Sequence, residues 1–141
     1  MKIRDVEKGF VIKLERGEDM LVTLAQFCES RGVQSGIFRG IGAVERVKIG
    51  YYDLPKREYF FRDEPGVFEV ASMQGNIALV DGKPFIHAHA VLSRCDETLE
   101  CIGAHIKEAF VAVTLEIFLT PFDVPLKRAM DDSIGLKLLD L

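Results

Sequence analysis

From Ile37 onward the apolar residues fall on every second position in one segment after another, and a side-chain period of two leaves few folds available besides a sheet. Ile37 to Phe38, Ala43 to Tyr52, Glu58 to Arg62 and Val67 to Met73 read as strands separated by glycine, proline or charge-rich turns. Ile77 to Val80 and Lys83 to Leu92 flank Asp81-Gly82, the residue pair that a two-residue hairpin turn demands. Phe110 to Leu119, rich in Val, Thr, Ile and Phe, is a further strand, and Phe10, Ile12 and Leu14 alternate with Val11 and Lys13 in an earlier one. One stretch breaks the rhythm. Met20, Leu21, Leu24, Phe27 and Cys28 recur at helical spacing behind Glu18-Asp19, whose charges suit a helix N-terminus, and Gly32 is placed to end that helix. Pro121 and Pro125 close the pattern, leaving a short helix-like segment from Lys127 to Asp131 and an apolar tail, Leu136 to Leu141. The expectation is an α+β fold: a mostly antiparallel sheet, half-barrel or sandwich, with one major helix, residues 1–141 forming one domain.

A chain of 141 residues buries enough surface for a core without staples. Its 48% hydrophobic and 28% charged residues exclude a disordered chain, and a net charge of −4 offers no overall attraction to nucleic-acid phosphates. Ala109 to Leu119, interrupted by Thr114 and Glu116, is too short to span a bilayer. The start, Met1 to Asp5, carries no apolar signal stretch. Cys28, Cys95 and Cys101 are odd in number and form no Cys-x-x-Cys, so a reduced, cytoplasmic chain is expected.

The chain has three histidines, all within nineteen positions: His87-Ala88-His89, then His105. Two residues apart on a strand, His87 and His89 share one face, with Ile86, Ala88 and Ala90 turned the other way. Both imidazoles then reach one point at roughly 2.0–2.1 Å, the zinc–nitrogen distance. Gly103-Ala104 are small enough for a turn to bring His105 close, and three neutral imidazoles suit Zn²⁺ ahead of Ni²⁺, Co²⁺ or Fe²⁺. The competing reading of a His-x-His pair is two hydrogen-bonded polar side chains.

Glu116, within Val113 to Phe118, orients an imidazole or serves as a base in a metal reading, and partners an arginine such as Arg39 in a structural one. Arg39-Gly40-Ile41-Gly42 offers an arginine and free backbone N–H groups to an anion or substrate. A strand rather than a helix follows, however, which favours a bulge at the glycines over any phosphate loop. Tyr51-Tyr52 and Tyr59-Phe60-Phe61 could stack on a base or ring, but as strand aromatics they read first as core or subunit-interface material, and Cys101 reads as a buried apolar thiol.

At these residues the chain resembles the plants-and-prokaryotes-conserved (PPC) domain family in its stand-alone prokaryotic form. The carrying segments are Gly40-Ile41-Gly42-Ala43-Val44, Gly82-Lys83-Pro84-Phe85-Ile86-His87-Ala88-His89, Gly103-Ala104-His105 and Thr114-Leu115-Glu116-Ile117. Their order and spacing match from about Phe10 to Pro121. The resemblance implies a homotrimer with an antiparallel sheet, His87, His89 and His105 gathered together, and a bound metal in archaeal and bacterial members. Its plant members associate with DNA through an AT-hook centred on Arg-Gly-Arg-Pro, which this chain lacks. Their Gly-Arg-Phe-Glu-Ile-Leu partner motif is here Gly66-Val67-Phe68-Glu69-Val70-Ala71, without the arginine. Three functional readings follow: a metal-binding protein acting on a small molecule, a DNA-associated or regulatory trimeric scaffold, and a domain whose histidines serve stability alone.

Overall fold

The computed structural model describes residues 1–141. In chain order it comprises β1 (Lys2–Val6), β2 (Gly9–Glu15), α1 (Met20–Arg31), β3 (Gly36–Asp53), β4 (Glu58–Val80), β5 (Lys83–Arg94), β6 (Cys101–Pro121), β7 (Lys127–Asp131) and β8 (Leu136–Asp140). One helix and a mostly antiparallel sheet is the expected α+β class.

The short strands read from the sequence are pieces of longer ones. β3 joins Ile37-Phe38 to Ala43–Tyr52 through a bulge against β4 between Gly40 and Gly42, and carries a second between Glu45 and Val47. Gly42 has φ +150°, and a Cβ there would collide with the Thr114 carbonyl oxygen of β6. The glycine pair therefore lets three strands stay in contact across an irregular register. β4 likewise absorbs three predicted strands, because its bulges bend the ladder without ending it.

β3 pairs with β4, β4 with β5, β5 with β6, and β6 returns to β3, so the four long strands are hydrogen-bonded in a ring. Further along, β6 also pairs with β2, and β2 with β1. Inward residues of these strands, among them Ile12, Leu14, Phe68, Ile77, Leu115 and Ile117, form one core with Leu24, Phe27 and Cys28 of α1. Asp19 caps the helix by accepting a hydrogen bond from the Val22 N–H at 2.9 Å, and Gly32 ends it in the left-handed conformation. The helix packs on β5 and β6 from the inner side, which leaves their outer face open. No helix is long and apolar enough to cross a membrane.

Two expectations are corrected at the C-terminus. Lys127 to Asp131 is strand β7 and not a helical turn, and the apolar tail pairs with it as β8. Helical spacing in five residues is weak beside a turn at 132–135 that closes on Asp131, whose carboxylate accepts from the Ser133 and Ile134 N–H groups. This hairpin is held to the body by a single parallel pair, Leu79 with Lys127, and by side chains: Tyr52 Oη donates to the Ile134 carbonyl, Arg57 to the Asp132 and Ser133 carbonyls, and Lys137 pairs with Asp81.

Candidate metal centre

All three histidines stand on the β5–β6 hairpin. Ile86, Ala88 and Ala90 are buried, which turns His87 and His89 to the outer face. His105 lies directly opposite His89 in the ladder between β5 and β6. It therefore reaches the pair by strand pairing and not by a turn. Glycine at position 103 is not needed for close approach either, since the nearest atom to an added Cβ is Val91 Cγ2 at 3.7 Å.

The three rings converge. Their centroids are 5.1 Å apart for His87–His89, 5.1 Å for His87–His105 and 5.2 Å for His89–His105. One nitrogen from each lies within 4.8 Å of the others, and the Nε2 atoms of His87 and His89 are separated by 3.2 Å. Aromatic rings support the third imidazole. Tyr59 stacks on Phe61 at 5.1 Å, and the two contact the His105 ring at 5.1 and 6.1 Å. Gly50 sits opposite both His105 and Phe61, where a Cβ would collide with the Phe60 carbonyl and the Phe61 ring. The glycine is what lets the aromatics lean onto the histidine.

His87 and His105 are held down to about 4 each, chiefly because burial penalises their charged forms. Arg128 and then His89 add to this at His87; His87, His89 and Lys107 do so at His105. At neutral pH both rings are neutral and present lone pairs. His105 Nδ1 is buried without a hydrogen-bond partner, an arrangement that costs free energy unless something binds there. Neutral nitrogen donors converging on one point, one ring holding an orphaned nitrogen, fit a divalent transition metal of the zinc type.

Two cavities flank the triad. One, of about 600 Å³, is lined by the three histidines with Tyr51, Tyr59, Phe60 and Ile102. The other, of about 760 Å³, runs from His87 and His89 past Gln74 and Asn76 to Arg39 and Phe118. Arg39 reaches the site's margin in this way: it pairs across the ladder with Gln74, which pairs with His89. Its guanidinium lies over Phe118 at 5.9 Å and forms no ion pair with Glu116. Gly40 and Gly42 form the bulge on β3 already described. Glu116 is exposed between Lys13 and Ile41, eleven residues along β6 from His105, and within one chain it does not approach the triad. Cys101 is exposed and not buried.

Sequence reasoning marked Tyr59 as an aromatic without linking it to His105, and missed Asn76 and Arg128. Asn76 is the ladder partner of His87, and its Oδ1 accepts from Arg128 Nη2 at 2.8 Å. The same Nη2 is 3.3 Å from His87 Nδ1. Nothing in the local pattern marks Asn76 or Arg128; the folding of separate strands together brings them in.

The Plants and Prokaryotes Conserved (PCC) domain model matches residues 1–123. No protein of curated function matches the chain in sequence. Among solved structures, a plant- and prokaryote-conserved protein of Pyrococcus horikoshii is 33% identical, with TM-score 0.85 over 93% of this chain and 90% of that one. The metal-containing protein of Archaeoglobus fulgidus is also 33% identical, with TM-score 0.85 over 100% of both chains. A Ralstonia eutropha protein provisionally named as DNA-binding is 30% identical, with TM-score 0.91 over 99% of this chain and 96% of that one. With the family model spanning all but the last eighteen residues, and a fold shared along the whole length, the chain belongs to the Plants and Prokaryotes Conserved domain family.

Proposed function

We propose that this protein binds a divalent transition metal, zinc foremost, through His87, His89 and His105, and that it acts on a small molecule as a cytoplasmic homotrimer. The observation that carries the reading is the convergence of three ring nitrogens within 4.8 Å on an open face. The metal-containing character of the Archaeoglobus fulgidus relative supports it. His87, His89 and His105 would hold a zinc ion with room for one further ligand, and the chemistry it would supply is acidification of a group bound there. The chain's own residues do the rest. His87 and His105 stay neutral at physiological pH, the Tyr59–Phe61 stack holds His105 in place, and the cavity walls of Tyr51, Phe60 and Ile102 suit an apolar body beside the histidines. Arg39, at the far end of the second cavity, is placed for an anionic group; Gly40 and Gly42 follow it on β3 but do not line that cavity, being paired with both β4 and β6.

Self-association has support in the apolar outer face of β3 and β6, where Ile37, Ile41, Val113 and Phe118 are exposed. Glu116 shares that face opposite Ile41, so its part in the site is as a contribution from a neighbouring copy. The exposed, free Cys95 and Cys101 suit a reducing compartment.

Elemental analysis of untagged, unchelated protein tests the reading. One zinc per chain is expected, and His87→Ala should abolish it while the circular dichroism spectrum is retained. Protein that stays metal-free when supplied with zinc, or metal unaffected by loss of all three histidines, would reject the proposal.

The provisional name of the Ralstonia eutropha relative favours a second reading, a DNA-associated scaffold. Retention on duplex DNA that weakens steeply with salt would support it. The charge distribution argues the other way. Arg31 is paired with Asp5, Lys48 with Asp63 and Glu108, and Arg46 lies over Phe110, so these cations form no common patch.

A further inference from the structure

Arg128 stands behind the candidate metal ligand His87 with its hydrogen-bonding polarity the wrong way round. A guanidinium only donates. Arg128 Nη2 points at His87 Nδ1 from 3.3 Å, so that nitrogen must offer a lone pair and the ring's proton must sit on Nε2. From there His87 Nε2 donates to His89 Nε2 at 3.2 Å. Arg128, His87 and His89 form a chain of donors and acceptors that is self-consistent without a metal.

A metal taken through His87 Nε2 requires the opposite tautomer. Nε2 must be bare, and Nδ1 must carry the proton and find an acceptor, as ligating imidazoles ordinarily do with a carboxylate, carbonyl or water. Arg128 supplies no acceptor. The side-chain oxygen of Asn76, on the ladder partner of His87, already accepts from the same Arg128 Nη2 at 2.8 Å. Arg128 Nε is itself buried without a partner, so the arginine is imperfectly satisfied where it lies.

Arg128 is carried by the β7–β8 hairpin, which lies beyond the stretch matched by the family domain and joins the sheet through one parallel pair and a few side chains. We propose that Arg128 is a positioning residue that opposes metal loading: it holds His87 in the tautomer that cannot ligate through Nε2, so that docking of the C-terminal hairpin and binding of the metal compete. This rests on the metal reading above, and adds that the site is a weak, exchangeable one governed by a residue outside the ligand set.

The test is zinc affinity, read by competition with a chromophoric chelator, for the wild type, Arg128→Gln and Arg128→Lys. Glutamine brings a carbonyl that can accept from Nδ1–H; lysine, like arginine, only donates. Arg128→Gln should bind zinc on the order of tenfold more tightly, the scale of effects that groups behind a ligand have on affinity. Arg128→Lys should stay near the wild type. A merely structural arginine would make both variants change together. Equal or weaker binding by Arg128→Gln overturns the proposal and leaves the metal site standing; no zinc binding by any of the three overturns both. In the wild type, hydrogen exchange at Leu79, whose N–H donates to the Leu126 carbonyl at 2.8 Å, and along 127–130 should quicken when zinc is added. Slower or unchanged exchange there counts against the competition irrespective of how the variants fold.

Discussion

His87 and His105 remain uncharged until about pH 4, against an ordinary 6.5, because each is half-buried among other imidazoles and a cation. Unfolding exposes them to water, where they take up protons below about 6.5. In that interval the unfolded chain binds more protons than the folded one, so stability falls as pH drops from 6.5 toward 4. In metal-free protein the Tm should therefore decline across this window and show no such loss between pH 7 and 8. His105→Gln, which removes one of the two groups, should shrink the decline by about half. A Tm that rises on acidification, or a variant with an unchanged profile, would contradict the assignment. The pair His87-Ala88-His89 was legible in the sequence because strand alternation dictates where two residues at that spacing point. The support was not: Tyr59 and Phe61 reach His105 across β3, over Gly50, a relation that no local spacing encodes.

At the scale of elements, glycine placement on β3 separates structural need from tolerance. Gly42 occupies φ +150° with the Thr114 carbonyl where a side chain would start, whereas a Cβ at Gly103 on β6 would meet its neighbours only at ordinary contact distance. Gly42→Ala should cost about 1–3 kcal/mol or more, visible as a shifted denaturation midpoint, and Gly103→Ala close to nothing. Equal effects would show that the bulge yields more readily than its contacts suggest. The bulge was readable from Gly40 and Gly42 because no helix follows them. Strand length was not, since Pro65 and Gly66 read as a break in a period-two pattern whereas β4 runs through them. Lys127 to Asp131 was misread for a related reason. A five-residue strand on one edge has almost no period of its own, and its identity comes from β8 and from the turn anchored on Asp131.

For the molecule as a whole, the proposed trimer rests on an outer face where Ile37, Ile41, Val113 and Phe118 are exposed beside Arg39 and Glu116. Ile41 and Phe118 are about half-exposed there, with Arg39 directly opposite Phe118 in the ladder. Light scattering should give a mass of about three chains, and Phe118→Glu should lower it by placing a charge in the contact. A monomeric wild type would leave that face unexplained and remove any part for Glu116 at the triad. The fold class was within reach of the sequence because alternation and one capped helix nearly exhaust the chain. The ring closure, β6 returning to β3, was not, because it depends on pairing between residues some seventy positions apart, such as Gly42 with Leu115.

The three imidazoles occupy a single hairpin near the middle of the chain, and Arg128 follows twenty-three residues after the last of them. During synthesis His87, His89 and His105 all leave the ribosome before their rival does. An ion available at that moment meets the lone pairs with no guanidinium in attendance. In the competition proposed above the finished protein must surrender a docked hairpin to gain the same ion, so at an exchangeable site the surrounding metal concentration, set against the strength of that docking, decides what it holds.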